Sequence, residues 1–175
     1  MSLKDLPAGK KAPQDIYVVI ENPKHVPHVK YEVDKDTGLL FVDRFAPMPM
    51  VFPAHYGYIP NTLGGDGDPV DAFVYTDIAV VPGSIIRARP VGALLTTDES
   101  GEDAKLVCVP HTKLDRRFDD VKNYTDLPLL FREQLEQFYA HYKALEPGKW
   151  VKVGGWVDVA AAEKIVLDGI AAVQK

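Results

Sequence analysis

The run Asp66-Gly67-Asp68-Pro69-Val70-Asp71 sets three carboxylates within six residues. Gly67 lets the backbone turn and Pro69 removes a hydrogen-bond donor, so the run reads as a loop. Like charges this close repel unless a cation stands among them, and oxygen-only ligands suit hard ions such as magnesium, manganese or calcium. The calcium-loop pattern of helix-loop-helix proteins fails here. Val70 stands where an oxygen ligand belongs, and Asp71 where the sharp-turn glycine belongs. A second acidic turn, Thr97-Asp98-Glu99-Ser100-Gly101-Glu102-Asp103, links two strand-like runs and is followed by Lys105. Taken alone it is an ordinary charged hairpin tip. Paired with the first, it gives two acidic loops able to converge on one barrel mouth and hold two or more metals, the arrangement used for in-line attack on phosphorus.

Phosphoryl oxygens take charge-assisted hydrogen bonds, so the partners to look for are Lys, Arg, Tyr and exposed amides. Lys30 interrupts the apolar positions of a strand, and Arg44 follows Phe41-Val42-Asp43 before a proline-rich loop. Tyr56 and Tyr58 bracket Gly57, and Tyr142-Lys143 ends a long helical pattern. Each of these residues alone also fits a solvated face or a core edge.

The elements that must position these residues follow from periodicity. Ile16 to Glu21 reads as a strand. Val29 to Val33 alternates, with Lys30 and Glu32 on one face, and turns through Asp36-Thr37-Gly38 into a returning strand from Leu39 to Phe45. Pro47, Pro49, Pro53 and Pro60 predict loop between them, and further strands are expected at 71–75, 85–97 and 104–110. Six or seven short strands suggest a small barrel. Two helices follow. Asp126 is the expected N-cap of the first, which carries Phe131, Leu135, Phe138, Tyr142 and Leu145 to its stop at Pro147-Gly148. Asp158 caps the second, from Val159 to Val173, which turns Ala162, Ile165, Val166, Gly169, Ile170 and Val173 inward.

With 175 residues, 46% of them hydrophobic, the chain reads as a single catalytic domain, residues 1–175, with residues 1–14 as an N-terminal arm. A net charge of -5 argues against nucleic acid or an anionic membrane as partner. Cys108 is the only cysteine, lies in an apolar run, and reads as a core residue. The absence of a signal-like or membrane-spanning apolar run leads to the expectation of a cytoplasmic protein.

Glu21, Lys30-Tyr31-Glu32, Phe41 to Arg44, Phe52 to Pro60, the acidic hexapeptide, Asp98 to Lys105 and Tyr142-Lys143 together resemble family I soluble inorganic pyrophosphatase in its bacterial form. The similarity runs in order over nearly the whole chain, and the D-G-D-P-x-D signature is highly specific. It implies a mainly β (α+β) fold, a five-stranded OB-like barrel with two flanking C-terminal helices, and a homohexamer. It also implies magnesium-dependent hydrolysis of inorganic pyrophosphate to two phosphates by a metal-activated hydroxide. Roughly three or four magnesium ions would serve each site, with manganese, zinc or cobalt as substitutes.

By the same resemblance, Asp66, Asp71 and Asp103 would hold the two metals that share the nucleophile, and Asp98 with Asp103 a metal on the substrate. Glu21 would act on a further metal, largely through water. Asp68 would be the general base and Glu32 an acid beside the site. Lys30, Arg44, Tyr56, Lys105, Tyr142 and Lys143 would hold the phosphates. One departure is Phe52, where some relatives carry Tyr, so any hydroxyl role there is absent. Gln137 stands where a second histidine can accompany His141 at subunit contacts.

The six site carboxylates exceed the four lysine and arginine charges by about two, and pyrophosphate adds about four more, a deficit that three divalent ions would cancel. The strand pattern alone also admits a binding module for single-stranded nucleic acid, but such a groove should be basic with interleaved aromatics. A two-metal hydrolase acting on a nucleotide or phosphate monoester is the other alternative.

Overall fold

The computed structural model describes residues 3–174. Its centre is a ring of five strands. Strand β1 (Ile16–Asn22) pairs with β4 (His55–Tyr58), β4 with β5 (Asp71–Val74), β5 with β8 (Lys105–Pro110), β8 with β6 (Ile85–Asp98), and β6 again with β1. The barrel is therefore closed and mainly antiparallel, with one parallel pair, β5 beside β8. It is the five-stranded barrel that the resemblance implies. Strands β2 (Val29–Val33) and β3 (Leu40–Phe45) form a separate hairpin over one side. The two-residue strand β7 (Gly101–Glu102) turns back on the end of β6.

The interior is filled from both halves of the sequence. Ile16, Val18 and Ile20 of β1 meet Ala72, Val74, Leu106 and Cys108 in one apolar cluster, which places the lone cysteine in the core as expected. A second cluster joins Phe73, Leu94 and Val107 to helix α1 (Leu129–His141) through Phe131, Leu135 and Phe138. Helix α2 (Val159–Val173) starts at the expected cap, where Asp158 accepts the Ala161 amide at 3.0 Å, and packs Ala162, Val166 and Gly169 inward.

Several boundaries differ from the sequence expectation. Residues 55–58, read as loop because of flanking prolines, form a full barrel strand. Pro53 and Pro60 lie just outside it, where no ladder donor is needed. Gly57 permits the close pairing, since a Cβ there would stand 1.8 Å from the Val19 carbonyl oxygen. Strand β9 (Val151–Val157) was not foreseen. Its alternation is broken by Gly154-Gly155, and it shifts register there as it pairs with the outer half of β6.

Helix α1 has Pro128 as N-cap. Asp126 instead closes a capping box with Asn123 over the preceding 3-10 turn, Tyr124–Asp126. The helix ends at His141, which leaves Leu145 beyond it and 61% exposed. Val173, expected inward, is exposed at the last turn of α2, while Ile165 and Ile170 are only partly buried.

His55 ties the barrel to two loops. Its Nδ1 accepts the Lys24 amide at 3.0 Å and its Nε2 lies 2.9 Å from the Ile78 carbonyl, so the ring is neutral with its proton on Nε2. Burial pulls its pKa below the usual histidine value. The unfolded chain takes up this proton near pH 6.5 while the fold resists it, so stability is full above that pH and falls as the pH drops below it. Urea unfolding across that range should show the decline, and His55→Gln, though less stable at neutral pH, should lose part of the acid-side slope. An unchanged slope in the variant would exclude His55 as its source.

Candidate active site

One end of the barrel opens into a cleft of about 310 Å³ lined by charged and aromatic side chains from almost every element. The hexapeptide loop contributes Asp66 and Asp68, and Asp71 opens β5. The loop is fixed from within. Asp66 accepts the Asp68 amide at 3.1 Å, Gly67 takes a positive φ of 90°, and the Asp68 carbonyl accepts the Gly64 amide at 2.6 Å. Val70, the one apolar side chain of the motif besides proline, is buried against Gly169 of α2, where a Cβ would meet it at 2.8 Å. The loop is thus anchored by a hydrophobic residue and presents its carboxylates beside it.

The second acidic loop arrives from β6 and β7. Asp98 accepts the Ser100 amide at 2.8 Å, and the Asp103 amide donates to the Thr96 carbonyl at 2.9 Å, which closes the turn around Gly101. The parallel register of β5 and β8 sets Ala72 beside Leu106, so the preceding residues, Asp71 and Lys105, meet at the barrel rim. Lys105 is 3% exposed, and its ammonium contacts both Asp71 and Asp103. Burial pulls its pKa down, but the two carboxylates outweigh that and hold it above the usual lysine value. Burial likewise raises the proton affinity of Asp103, with Lys105 offsetting part of the effect.

The remaining walls carry similar pairs. Lys143, just past α1, reaches Asp98 at 2.8 Å and Glu99 at 3.5 Å. From the hairpin, Lys30 lies 3.4 Å from Glu32 and 3.1 Å from Asp43. Arg44 joins Asp43 and Glu146, each at 3.3 Å. Glu21 is 5% exposed, and its Oε1 accepts both the Val33 amide and Lys35, each at 2.8 Å. Burial raises the pKa of Glu21, and burial with its neighbours Asp66 and Glu32 raises that of Asp68.

The floor is aromatic. Phe52 stacks on Tyr56 at 5.0 Å between ring centres and packs tilted against Phe138 at 4.9 Å, while Tyr142 stacks on Phe138 at 5.2 Å. Burial lifts the phenols of Tyr56 and Tyr142 above their usual pKa, so both are neutral donors at physiological pH.

Every residue singled out from the sequence lines this cleft: Glu21, Lys30, Glu32, Arg44, Tyr56, Asp66, Asp68, Asp71, Asp98, Asp103, Lys105, Tyr142 and Lys143. Residues the sequence reading passed over also line it, among them Lys35, Tyr139, Glu146 and Lys149, as does Glu99 of the second acidic turn. Tyr139 could have been found, since it lies one helical turn before Tyr142; Lys35 sits in a turn whose composition carries no signal.

The donor set fits hard divalent cations, being carboxylate oxygens throughout and costly to ionise without positive charge. Among the described residues, however, no three acidic, histidine or cysteine side chains stand close enough to share one ion as they lie. Lysine ammonium groups occupy the spaces between the carboxylates.

A family model described as inorganic pyrophosphatase matches residues 18–174. An inorganic pyrophosphatase of Pseudomonas aeruginosa is 57% identical over 175 residues, with all of both chains covered. The crystal structure of an inorganic phosphatase from Anaplasma phagocytophilum superposes with a TM-score of 0.96 at 46% identity, covering 98% of this chain and all of that one. The crystal structure of inorganic pyrophosphatase from Thermus thermophilus gives a TM-score of 0.94 at 41% identity, with both chains fully covered.

Removing the ammonium that bridges Asp71 and Asp103 leaves two buried carboxylates uncompensated. Lys105→Met is therefore expected to destabilise the protein in EDTA by about 3 kcal/mol, measured by denaturant unfolding. Magnesium should narrow that deficit, because a divalent ion restores positive charge between the same oxygens. Equal stability of variant and wild type in EDTA would show that the bridge contributes nothing.

Proposed function

The chain belongs to the inorganic pyrophosphatase family, in its bacterial family I form, and is a diphosphatase that hydrolyses pyrophosphate; from that premise we propose how its own residues do so, with magnesium as the cofactor. The observation that carries the proposal is the meeting of the two acidic loops with Lys30, Arg44, Lys105 and Lys143 in one cleft. A tetraanionic substrate does not enter a cleft with this excess of carboxylates unless cations accompany it.

Asp66, Asp71, Asp98 and Asp103 would hold the divalent ions, with Glu21 acting on a further one through water. Bound there, the ions supply Lewis acidity and the positive charge that makes a water a competent nucleophile near neutral pH. Asp68 is the general base. Burial and the neighbouring carboxylates raise its proton affinity, which matches the task of taking a proton from the attacking water. Glu32 adds to the negative field around Asp68.

Lys30, Arg44, Lys105 and Lys143 bind the two phosphates by charge-assisted hydrogen bonds, and Tyr56 and Tyr142 donate as neutral phenols. In the structure these cations rest on carboxylates. Occupation of the carboxylates by divalent ions would free them for phosphate, so the cofactor and the substrate enter a mutually dependent set of charges. The packed rings of Phe52, Tyr56 and Phe138 make the floor apolar, which strengthens the charge interactions above it.

The protein would act in the cytoplasm as a homohexamer, without nucleic-acid or membrane partners. Exposed Phe41, Phe45, Leu129 and Leu130 are apolar surface that self-association would cover. Among the described residues no helix is long and apolar enough to cross a membrane.

Phosphate release from pyrophosphate should be rapid with millimolar magnesium and abolished by excess EDTA; release that persists in EDTA would exclude the metal dependence. In the same assay Asp68→Asn should lower turnover by ~10²-fold or more, because it removes the proton acceptor while keeping shape. Near-normal turnover by that variant would remove Asp68 from the base role.

A further inference from the structure

Lys35 belongs to none of the sequence motifs, yet it closes one corner of the cleft. It lies in the turn between β2 and β3, and its side chain is 37% exposed. Its ammonium makes two bonds of 2.8 Å, one to Glu21 Oε1 and one to the Val33 carbonyl, and it stands 4.0 Å above the centre of the Tyr58 ring. The Val33 amide donates to the same Glu21 oxygen. Lysine and carboxylate are therefore clamped to the β2 backbone from both sides, and the aromatic face fixes the height of the ammonium. An unconstrained surface ion pair has no such support.

The side chain of Glu21 is only 7% exposed, so its charge has to be balanced from within the protein. Lys35 also lies near enough to bear on Asp68. We propose that Lys35 is the resident counter-cation of this corner: it holds the Glu21 carboxylate in place and weakens the grip of that corner on a divalent ion, so that occupancy there follows the free metal concentration. This inference rests on reading the cleft as a divalent-ion site.

Two opposing consequences attend its removal. Glu21 loses a positioning contact but keeps the Val33 amide on the same oxygen, so the carboxylate stays oriented. What disappears outright is a unit positive charge beside the incoming cation, and at this range repulsion outweighs the lost contact. The effect of Lys35 on the ion is therefore one of charge rather than of orienting Glu21.

The test is isothermal titration of the metal-stripped, full-length protein with manganese chloride at about pH 8, where carboxylates are ionised. Wild type, Lys35→Met, Lys35→Gln and Lys35→Arg are compared, with thermal melting to show that each is folded. The weakest manganese site should tighten about tenfold in both neutral variants and stay at the wild-type value in Lys35→Arg. Unchanged or weaker binding in folded Lys35→Met and Lys35→Gln overturns the proposal, as does equal tightening in Lys35→Arg. If the wild type itself binds no manganese, the reading of the cleft as a divalent-ion site fails instead.

Discussion

The rest of the site depends on the buried ammonium of Lys105 between Asp71 and Asp103. A lysine removed from water is stable only where opposite charge surrounds it, and two carboxylates at the head of adjacent strands are stable only with a cation between them. Neither half of the arrangement is tolerable alone. This mutual requirement draws together the start of β5, the start of β8 and the hairpin that precedes it, so both acidic loops face one opening. Tyr139 of α1 lies beneath, its ring centre 5.3 Å from the Lys105 ammonium, which links the helix to the same cluster.

Barrel topology makes this meeting possible. Chain neighbours in a meander would place Asp71 and Lys105 far apart in pairing order; here the parallel β5–β8 pair sets them side by side although 34 residues separate them. The long strand β6 serves as the spine, pairing in turn with β1, β8 and β9, and it delivers Asp98 at its far end. Beneath the charges, Phe52, Tyr56, Phe73, Phe138 and Tyr142 form one contiguous aromatic cluster, in which Phe52–Tyr56 and Phe138–Tyr142 are stacked and the other contacts are tilted. Phe52 serves there as a packing ring, stacked on Tyr56 and tilted against Phe73 and Phe138. The apolar floor raises the energetic weight of every charge above it.

The cleft also has a regular plan. Each carboxylate assigned to metal binding that the structure pairs has a lysine on it: Asp71 and Asp103 share Lys105, Asp98 takes Lys143, and Glu21 takes Lys35. These pairs balance the buried and half-buried carboxylates from within the protein. Under the proposed mechanism, the electrostatic balance of the fold and that of the reaction would draw on Lys105 and Lys143 alike.

The sequence by itself determined which charged and aromatic side chains are candidates for the site, and they do line one cleft. Acidic spacing in a Gly-Pro loop, lysines and tyrosines at interrupted apolar positions, and helical periodicity are local properties of types and intervals, and they located the hexapeptide, the hairpin and α2 with its Asp158 cap. Local rules failed where distant partners decide the outcome. Residues 55–58 are a strand because β1 and β5 supply their hydrogen bonds, β9 exists because the outer half of β6 needs a neighbour, and Asp126 belongs to a 3-10 turn because Asn123, three residues before it, completes a capping box with it. Only the tertiary structure could bring Lys35 to Glu21 or seat Lys105 between two loops. The energy of those contacts comes from burial and from charges separated by many residues, and neither is written in any short stretch of chain.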